Sequence, residues 1–354
     1  MKKHNFSAGP CILPDEVMQQ AARAVQELDG SGLSLIEISH RSAAFIEIMD
    51  KACTLVLELL GLTDKGYKAL FLQGGASTQF LATAYNLLEN KGAYLNTGTW
   101  STKAIKEAKL LGEVVEVASS ADTNFNYIPK EYSVPADADY LHITTNNTIF
   151  GTQIKTLPET DAVLASDSSS DIFSRQLDFS KFGILYAGAQ KNMGPAGTTL
   201  VVVKEEVLGE VTHKIPSMLD YALHSSKDSM FNTPPVFAVY ASMLTLDWLQ
   251  KLGGIKVIEE KNNAKADLMY GEIDRNPLFK GFAAVEDRST MNATFTLEKA
   301  ELKERFDSMC ADALINGING HRSVGGYRAS MYNALPLASV QTLVDVMKEL
   351  ERTA

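Results

Sequence analysis

Lys191 stands in the run Gly183-Ile184-Leu185-Tyr186-Ala187-Gly188-Ala189-Gln190-Lys191-Asn192-Met193-Gly194, where a short apolar stretch delivers a lysine into a turn of small residues. Glycine and alanine let a broad planar ligand approach the backbone. A lysine withdrawn from water gives up its proton readily, and its free amine can form a Schiff base with a carbonyl. Asp167 closes the apolar stretch Ala162-Val163-Leu164-Ala165-Ser166. A carboxylate at the carboxyl end of a buried strand lies where open α/β sheets bind ligands, and there it can hold a protonated ring nitrogen. Both residues also have a plainer reading. Lys191 reads as an exposed lysine after a strand, and Asp167 as a helix cap or part of a solvated loop, Asp167-Ser168-Ser169-Ser170-Asp171.

Gln73-Gly74-Gly75-Ala76-Ser77-Thr78-Gln79-Phe80 follows a strand pattern and opens a helix pattern. Backbone N–H groups at a helix start, with two hydroxyls beside them, form a cup for a phosphate; an ordinary capped turn has the same appearance. The run is neither a Walker loop nor a Gly-x-Gly-x-x-Gly fingerprint. Asn96-Thr97-Gly98-Thr99-Trp100-Ser101 puts one of the 2 tryptophans in a polar loop before a helix, either to stack on a flat ring or to pack on the core. His40-Arg41 and Gly320-His321-Arg322-Ser323-Val324-Gly325-Gly326-Tyr327-Arg328 form two basic clusters in loops. Their arginine forks suit carboxylate and phosphate, or surface salt bridges. Cup, ring, aspartate and lysine occur in the order that a domain binding pyridoxal phosphate (PLP) requires.

Positioning these residues takes an alternating scaffold. Helical spacing predicts helices over residues 15–28, 44–60, 75–88 and 101–111, with Gly61 ending the second. Short apolar runs predict strands at 67–72, 93–95, 114–117, 140–143, 162–165, 184–187 and 199–203. Near-continuous apolar strands suit a sheet covered by helices on both faces. After a helix at 236–252, the pattern gives a long polar helix at 255–276, strands at 282–285 and 293–297, and helices at 299–314 and 339–352. The division expected is a large α/β unit at 15–257 and a smaller α+β unit at 258–354, with residues 1–14 packing alongside.

Composition narrows the partners. The 354 residues carry 33 Lys+Arg against 43 Asp+Glu, a formal net charge of −10. That balance disfavours nucleic acid and anionic membranes, although a cleft can focus a local field against the global sign. Three scattered cysteines, Cys11, Cys53 and Cys310, offer no disulfide framework or zinc spacing, so no metal is expected. Neither an export signal nor an apolar run of the ~18 residues needed to span a membrane is evident, and the expected compartment is the cytoplasm.

The motifs Asn5-Phe6-Ser7-Ala8-Gly9-Pro10, Ile38-Ser39-His40-Arg41, Tyr186-Ala187-Gly188-Ala189-Gln190-Lys191-Asn192, Phe231-Asn232-Thr233-Pro234-Pro235 and Gly320–Ser330 carry a resemblance. Over essentially its whole length the chain resembles the phosphoserine aminotransferases, a class-V family of fold-type-I PLP enzymes. The resemblance implies a mostly parallel seven-stranded sheet between helices, with a smaller α+β domain. It implies that Lys191 carries PLP and Asp167 pairs with the ring nitrogen, while Trp100 stacks on the ring and Thr148 contacts a cofactor oxygen. Ala76, Ser77 and Gln190 hold the phosphate, joined by Asn232 and Thr233 from the second subunit of a homodimer. Arg328 takes the substrate α-carboxylate, with Ala8 nearby. His40 and Arg41, with His321 and Arg322 of the second subunit, bind the distal phosphate or carboxylate. The implied reaction is ping-pong transamination of 3-phosphohydroxypyruvate with glutamate in serine biosynthesis, and a four-carbon analogue in vitamin B6 synthesis is a further candidate substrate. Family members often show Gly-Gly-Gly-x-Gly where this chain has Gly75-Ala76-Ser77-Thr78, so the cup's side-chain roles are its own.

Three other readings stay open at this level. A PLP cysteine desulfurase would need a mobile nucleophilic cysteine, and only Cys11 is in a loop. A class-V aminotransferase acting on an acceptor uncharged beyond its α-carboxylate, such as glyoxylate or pyruvate, would have no use for two basic clusters. A non-catalytic PLP or phosphometabolite binder would have no need of Lys191 and Asp167 together.

Overall fold

A computed structural model describes residues 2–354. Strand β1 (His4–Asn5) leads to helices α1 (Asp15–Gln26) and α2 (Ala43–Leu60). Strands and helices then alternate through β2 (Tyr67–Leu72), α3 (Gly75–Leu87), β3 (Lys91–Asn96), α4 (Thr99–Ala108), β4 (Glu113–Ser119), β5 (Tyr140–Thr144), β6 (Val163–Asp167) and β7 (Phe182–Gly188). The one-turn α5 (Ala189–Asn192), β8 (Thr199–Lys204), α6 (Tyr221–Ser225) and α7 (Val236–Leu252) follow. The remainder is α8 (Gly254–Arg275), β9 (Phe279–Gly281), β10 (Asn292–Leu297), α9 (Lys303–Asp312), β11 (Ile315–Asn316), β12 (Tyr327–Ser330) and α10 (Leu337–Thr353).

The main sheet has seven strands in the order β2-β8-β7-β6-β5-β3-β4. Only β8 runs against its neighbours; the other strands point the same way. Because side chains alternate across a strand, each apolar run feeds two cores. Phe71, Leu141, Leu164, Leu185 and Val202 pack beneath α1, α2 and α7. Leu70, Tyr140, Ala165, Tyr186 and Val201 face α3 and α4. Double coverage is the physical reason that the strands read as continuous apolar runs rather than as alternating ones.

Helix ends follow local chemistry. Ser42 caps α2 by accepting the Phe45 N–H, and Gly61 ends it at φ 65, a left-handed conformation open to glycine. A three-stranded sheet, β12-β10-β9, packs with α8, α9 and α10 around a third core that also takes in Phe6. Helix α8 links the cores: Ile255 and Ile258 belong to the first, Ala266, Met269 and Ile273 to the third.

Several expected boundaries move. The strand expected at 282–285 lies earlier, at β9, and Val285–Asp287 forms a 3₁₀ turn. The apolar run at 282–285 drew the assignment there, but pairing with β10 selects Phe279–Gly281. The helix expected at 299–314 is a 3₁₀ turn at Ala300–Leu302 followed by α9. Arg328, expected in a glycine-rich loop, sits on strand β12 opposite Thr294 of β10. Its strand is short and enters from two glycines, so sequence alone gave it no periodic signal.

Candidate active site

The carboxyl ends of five parallel strands bring the candidate residues to one edge of the main sheet. Gly74–Ser77 follows β2, Trp100 follows β3, Thr148 follows β5, Asp167 ends β6, and Lys191 follows β7. This is where the topology of an open α/β sheet leaves a crevice.

Lys191 lies in α5, the single turn beyond β7. Its Nζ donates to Thr148 Oγ1 at 2.8 Å and lies 5.4 Å from the centre of the Trp100 ring. Withdrawal from water pushes the Lys191 ammonium below its ordinary pKa; Asp167 and Asp171 oppose that shift, whereas Arg328 adds to it. The plainer reading of an exposed lysine is therefore overturned. Gly9 of the N-terminal arm covers the stem closely, since a Cβ there would lie 3.5 Å from Lys191 Cγ. Ala8 is held in that arm by the Tyr332 hydroxyl, which donates to its carbonyl at 2.8 Å.

Asp167 is only 4% exposed, and Ser168, Ser169, Ser170 and Asp171 are buried with it, so the solvated-loop alternative fails. One carboxylate oxygen accepts the Ser169 N–H at 2.9 Å, an Asx turn that caps no regular helix. Thr145 N–H donates to the Asp167 carbonyl at 3.0 Å. Its hydroxyl donates to Asp171, which also receives Gln153 and Arg175. Trp100 occupies the first turn of α4 rather than the loop before it. Ser101 holds that turn, its Oγ accepting the N–H groups of Thr97 and Gly98 at 3.0 Å each. The buried Trp100 Nε1 has no partner among the described residues.

The cup at the start of α3 has no side-chain cap, so its first backbone N–H groups remain open to an anion. Gly74 is obligatory there: its φ is 95, and a Cβ would come 2.1 Å from Thr78 Oγ1. Thr78 spends its proton on the Gly74 carbonyl at 3.0 Å, which leaves Ser77 as the free hydroxyl. Ala76 is half-buried beside it, and Gln190 lies one residue before Lys191 with its carbonyl accepting Cys11 N–H at 3.0 Å. Thr233 meets the rim of the same chain's cup, where its carbonyl accepts Gln73 Nε2, and Asn232 precedes it.

Arg328 Nη1 donates to the Thr148 carbonyl at 3.2 Å, so Thr148 touches the lysine with its hydroxyl and the arginine with its backbone. Arg328 Nε is buried and unpartnered. His321 and Arg322 lie beside it in the loop before β12. Partial burial lowers the His321 pKa, and Arg328, Arg322 and Lys103 lower it further, which marks a positive local field. Among the described residues, the arginines in ion pairs are Arg175, Arg275, Arg288 and Arg352. Arg41, Arg322 and Arg328 have no such partner, so the surface-salt-bridge alternative does not apply to them. His40 and Arg41 lie before α2, Arg41 exposed and its N–H donating to Ser39 Oγ at 3.1 Å.

Sequence reasoning missed the layer behind these residues. Thr145, Asp171 and Arg175 brace the Asp167 loop. His142, wholly buried, contacts the Tyr186 hydroxyl through Nε2 at 2.7 Å and stacks on Tyr94. The available signal was a histidine inside the apolar run Tyr140-Leu141-His142-Ile143. The cysteines offer no nucleophile: burial pushes the thiols of Cys11, Cys53 and Cys310 up to about 12.

The residues fit PLP. An uncapped helix start suits its phosphate, an aromatic face its ring, a buried carboxylate its ring nitrogen and a desolvated amine its aldehyde. Comparison with known proteins agrees. The class-V aminotransferase family model matches residues 3–343. The phosphoserine aminotransferase of Flavobacterium psychrophilum is 65% identical over 353 residues, covering 99% of each chain. The solved phosphoserine aminotransferase from Bacillus circulans subsp. alkalophilus superposes with a TM-score of 0.96 at 42% identity, covering 99% of each chain. The PLP-bound phosphoserine aminotransferase from Trichomonas vaginalis superposes with a TM-score of 0.93 at 35% identity, covering 98% of this chain and 100% of its own. The chain belongs to the class-V aminotransferase family, within its phosphoserine aminotransferase branch.

Proposed function

We propose that this protein transfers the amino group of glutamate to 3-phosphohydroxypyruvate, giving O-phosphoserine and 2-oxoglutarate, with PLP as cofactor. The observation that carries the reading is Thr148, which links a desolvated amine to a half-buried guanidinium that has no ion-pair partner. Reacting amine and carboxylate clamp are thereby both anchored to one residue, the amine at its hydroxyl and the guanidinium at its carbonyl.

Bound PLP supplies an electron sink that stabilises negative charge at the substrate Cα. The chain's own residues do the rest. Lys191 as a neutral amine would take the Cα proton and return it on the other side of the transfer; burial lowers its pKa and so favours the neutral form. Asp167, fixed by Ser169 N–H, would hold a proton at the ring nitrogen. Trp100 would pack on the ring, and the Thr148 hydroxyl that now accepts from Lys191 would be available to a cofactor oxygen. Ala76, Ser77 and Gln190 line the phosphate cup. Arg328 grips the α-carboxylate through its free Nε and Nη2. His321 and Arg322 supply the field for the second anionic group, which both substrates possess and pyruvate or glyoxylate lacks.

We extend the proposal to a homodimer with shared sites, in which Asn232 and Thr233, at the rim of their own chain's cup, complete the phosphate cup of the second subunit, and His40 and Arg41 form a distal anion site with His321 and Arg322 of the second subunit. The exposed apolar residues Leu33, Ile36 and Ile46 around His40 and Arg41 support a subunit contact there. The two-unit division near residue 258 is part of the same reading, supported by the separate third core. Among the described residues no helix is long and apolar enough to cross a membrane; a cytoplasmic setting is part of the same proposed reading. The test is the visible absorption of the loaded protein. Glutamate abolishes it and 3-phosphohydroxypyruvate restores it; restoration by pyruvate alone overturns the substrate assignment.

A further inference from the structure

The turn bearing Lys191 and the strand bearing Arg328 are far apart in sequence, yet buried asparagines tie them together. Three consecutive carbonyls downstream of Asp167 are each taken by a different asparagine. Asn192 Nδ2 donates to Ile172, Asn333 Nδ2 to Phe173 at 2.9 Å, and Asn262 Nδ2 to Ser174 at 2.9 Å. The asparagines are also bonded to one another: Asn333 N–H donates to Asn192 Oδ1 at 2.9 Å, and Asn333 Oδ1 accepts Asn262 Nδ2 at 2.9 Å. One helical turn along α8, buried Lys265 donates to the carbonyls of Met331 at 2.8 Å and Tyr332 at 2.7 Å.

This knot has a geometric reason. Phe173 has φ 59, so its neighbours' carbonyls splay outward and no regular element can satisfy them. An asparagine amide presents a donor and an acceptor at fixed separation, and Asn333 uses both together with its backbone N–H. The three segments it joins each carry one candidate residue: Asn192 adjoins Lys191, Ile172–Ser174 follows Asp167, and Asn333 follows Arg328. Asn192 and Asn333 use both ends of their amides, while Asn262 Oδ1 is left without a partner; a buried network bonded in this way fixes the positions of the segments it joins.

We infer that Asn333 is a positioning residue, which sets the distance between the Lys191 amine and the Arg328 clamp by locking both to the Asp167 loop. The inference rests on the roles proposed above for Lys191 and Arg328. Asn333→Ala keeps the backbone bond to Asn192 and removes both side-chain bonds. In the PLP-loaded protein, kcat/KM for glutamate per loaded site falls about 10²-fold, the cost of a misplacement near 1 Å. Hydroxylamine, which has no carboxylate for Arg328 to hold, releases the cofactor from Lys191 at a rate within about twofold of wild type. Asn262→Ala loosens the same knot from the other side and shows the same split at about tenfold. Equal changes in both reactions, no change in either, or failure of both variants to fold overturns the inference. Failure of the wild type to react with glutamate overturns the functional reading instead.

Discussion

Replacing Arg328 by lysine keeps the charge and removes the fork. The guanidinium spends one Nη1 N–H on Thr148, while its Nε–H is buried without a partner. An orphaned buried donor costs roughly 1–3 kcal/mol, recovered when a carboxylate arrives. Nε and Nη2 therefore form the two parallel bonds that an α-carboxylate accepts, and an ammonium on a shorter, more flexible side chain makes at most one of them well. Losing one charge-assisted bond, about 1.5–3 kcal/mol, lowers kcat/KM by about 10–150-fold. Glutamate and 3-phosphohydroxypyruvate suffer alike, because both carry the carboxylate. Competitive inhibition by inorganic phosphate, which reads the distal site, stays unchanged. Thermal stability changes little, since the bond to Thr148 and the orphaned Nε–H disappear together. Steady-state kinetics with each substrate varied in turn, plus a melting curve, check all of this. A loss confined to one substrate, or a matching loss of phosphate inhibition, would refute the assignment of Arg328 to the α-carboxylate.

Other outcomes follow from the same geometry. Lys191→Ala abolishes transamination in a glutamate-to-oxoglutarate assay while far-ultraviolet circular dichroism stays native; turnover at the wild-type rate would sink the mechanism. Burial lowers the His142 pKa from about 6.5 to about 3. The unfolded chain then binds the proton that the folded chain refuses, so stability is full above about pH 6.5 and is lost as pH falls toward 3, by up to about 1.4 kcal/mol per unit. Denaturant midpoints at pH 7 and 5 should show a shallower loss in His142→Gln, and an unchanged slope would contradict that origin. Replacing Cys11, Cys53 and Cys310 by alanine leaves kcat within about twofold, because no thiolate serves the reaction. Release of sulfide from free cysteine by the wild type would reopen the desulfurase reading.

The sequence by itself was enough to find the scaffold and the parts that meet the ligand. Continuous apolar runs announced a sheet covered on both faces, and Gly74, Trp100, Asp167 and Lys191 stood at run ends, where side chains leave the core and backbone groups open. Such features are local, written within a few residues by turn chemistry and periodicity. What the tertiary structure alone decided is relational. The strand bearing Arg328 is a short segment with meaning only through its pairing to β10. Thr148 becomes a hub because Lys191 bonds its hydroxyl and Arg328 its carbonyl, and the buried loop after Asp167 is held by the bonds of Thr145 and Arg175 to Asp171. Asn192, Asn262 and Asn333 read as ordinary polar residues in the chain; they act together because burial leaves three splayed carbonyls no other donors. Burial and long-range hydrogen bonding join residues as far apart as Thr148 and Arg328, 180 positions along the chain, and no spacing in the sequence encodes them.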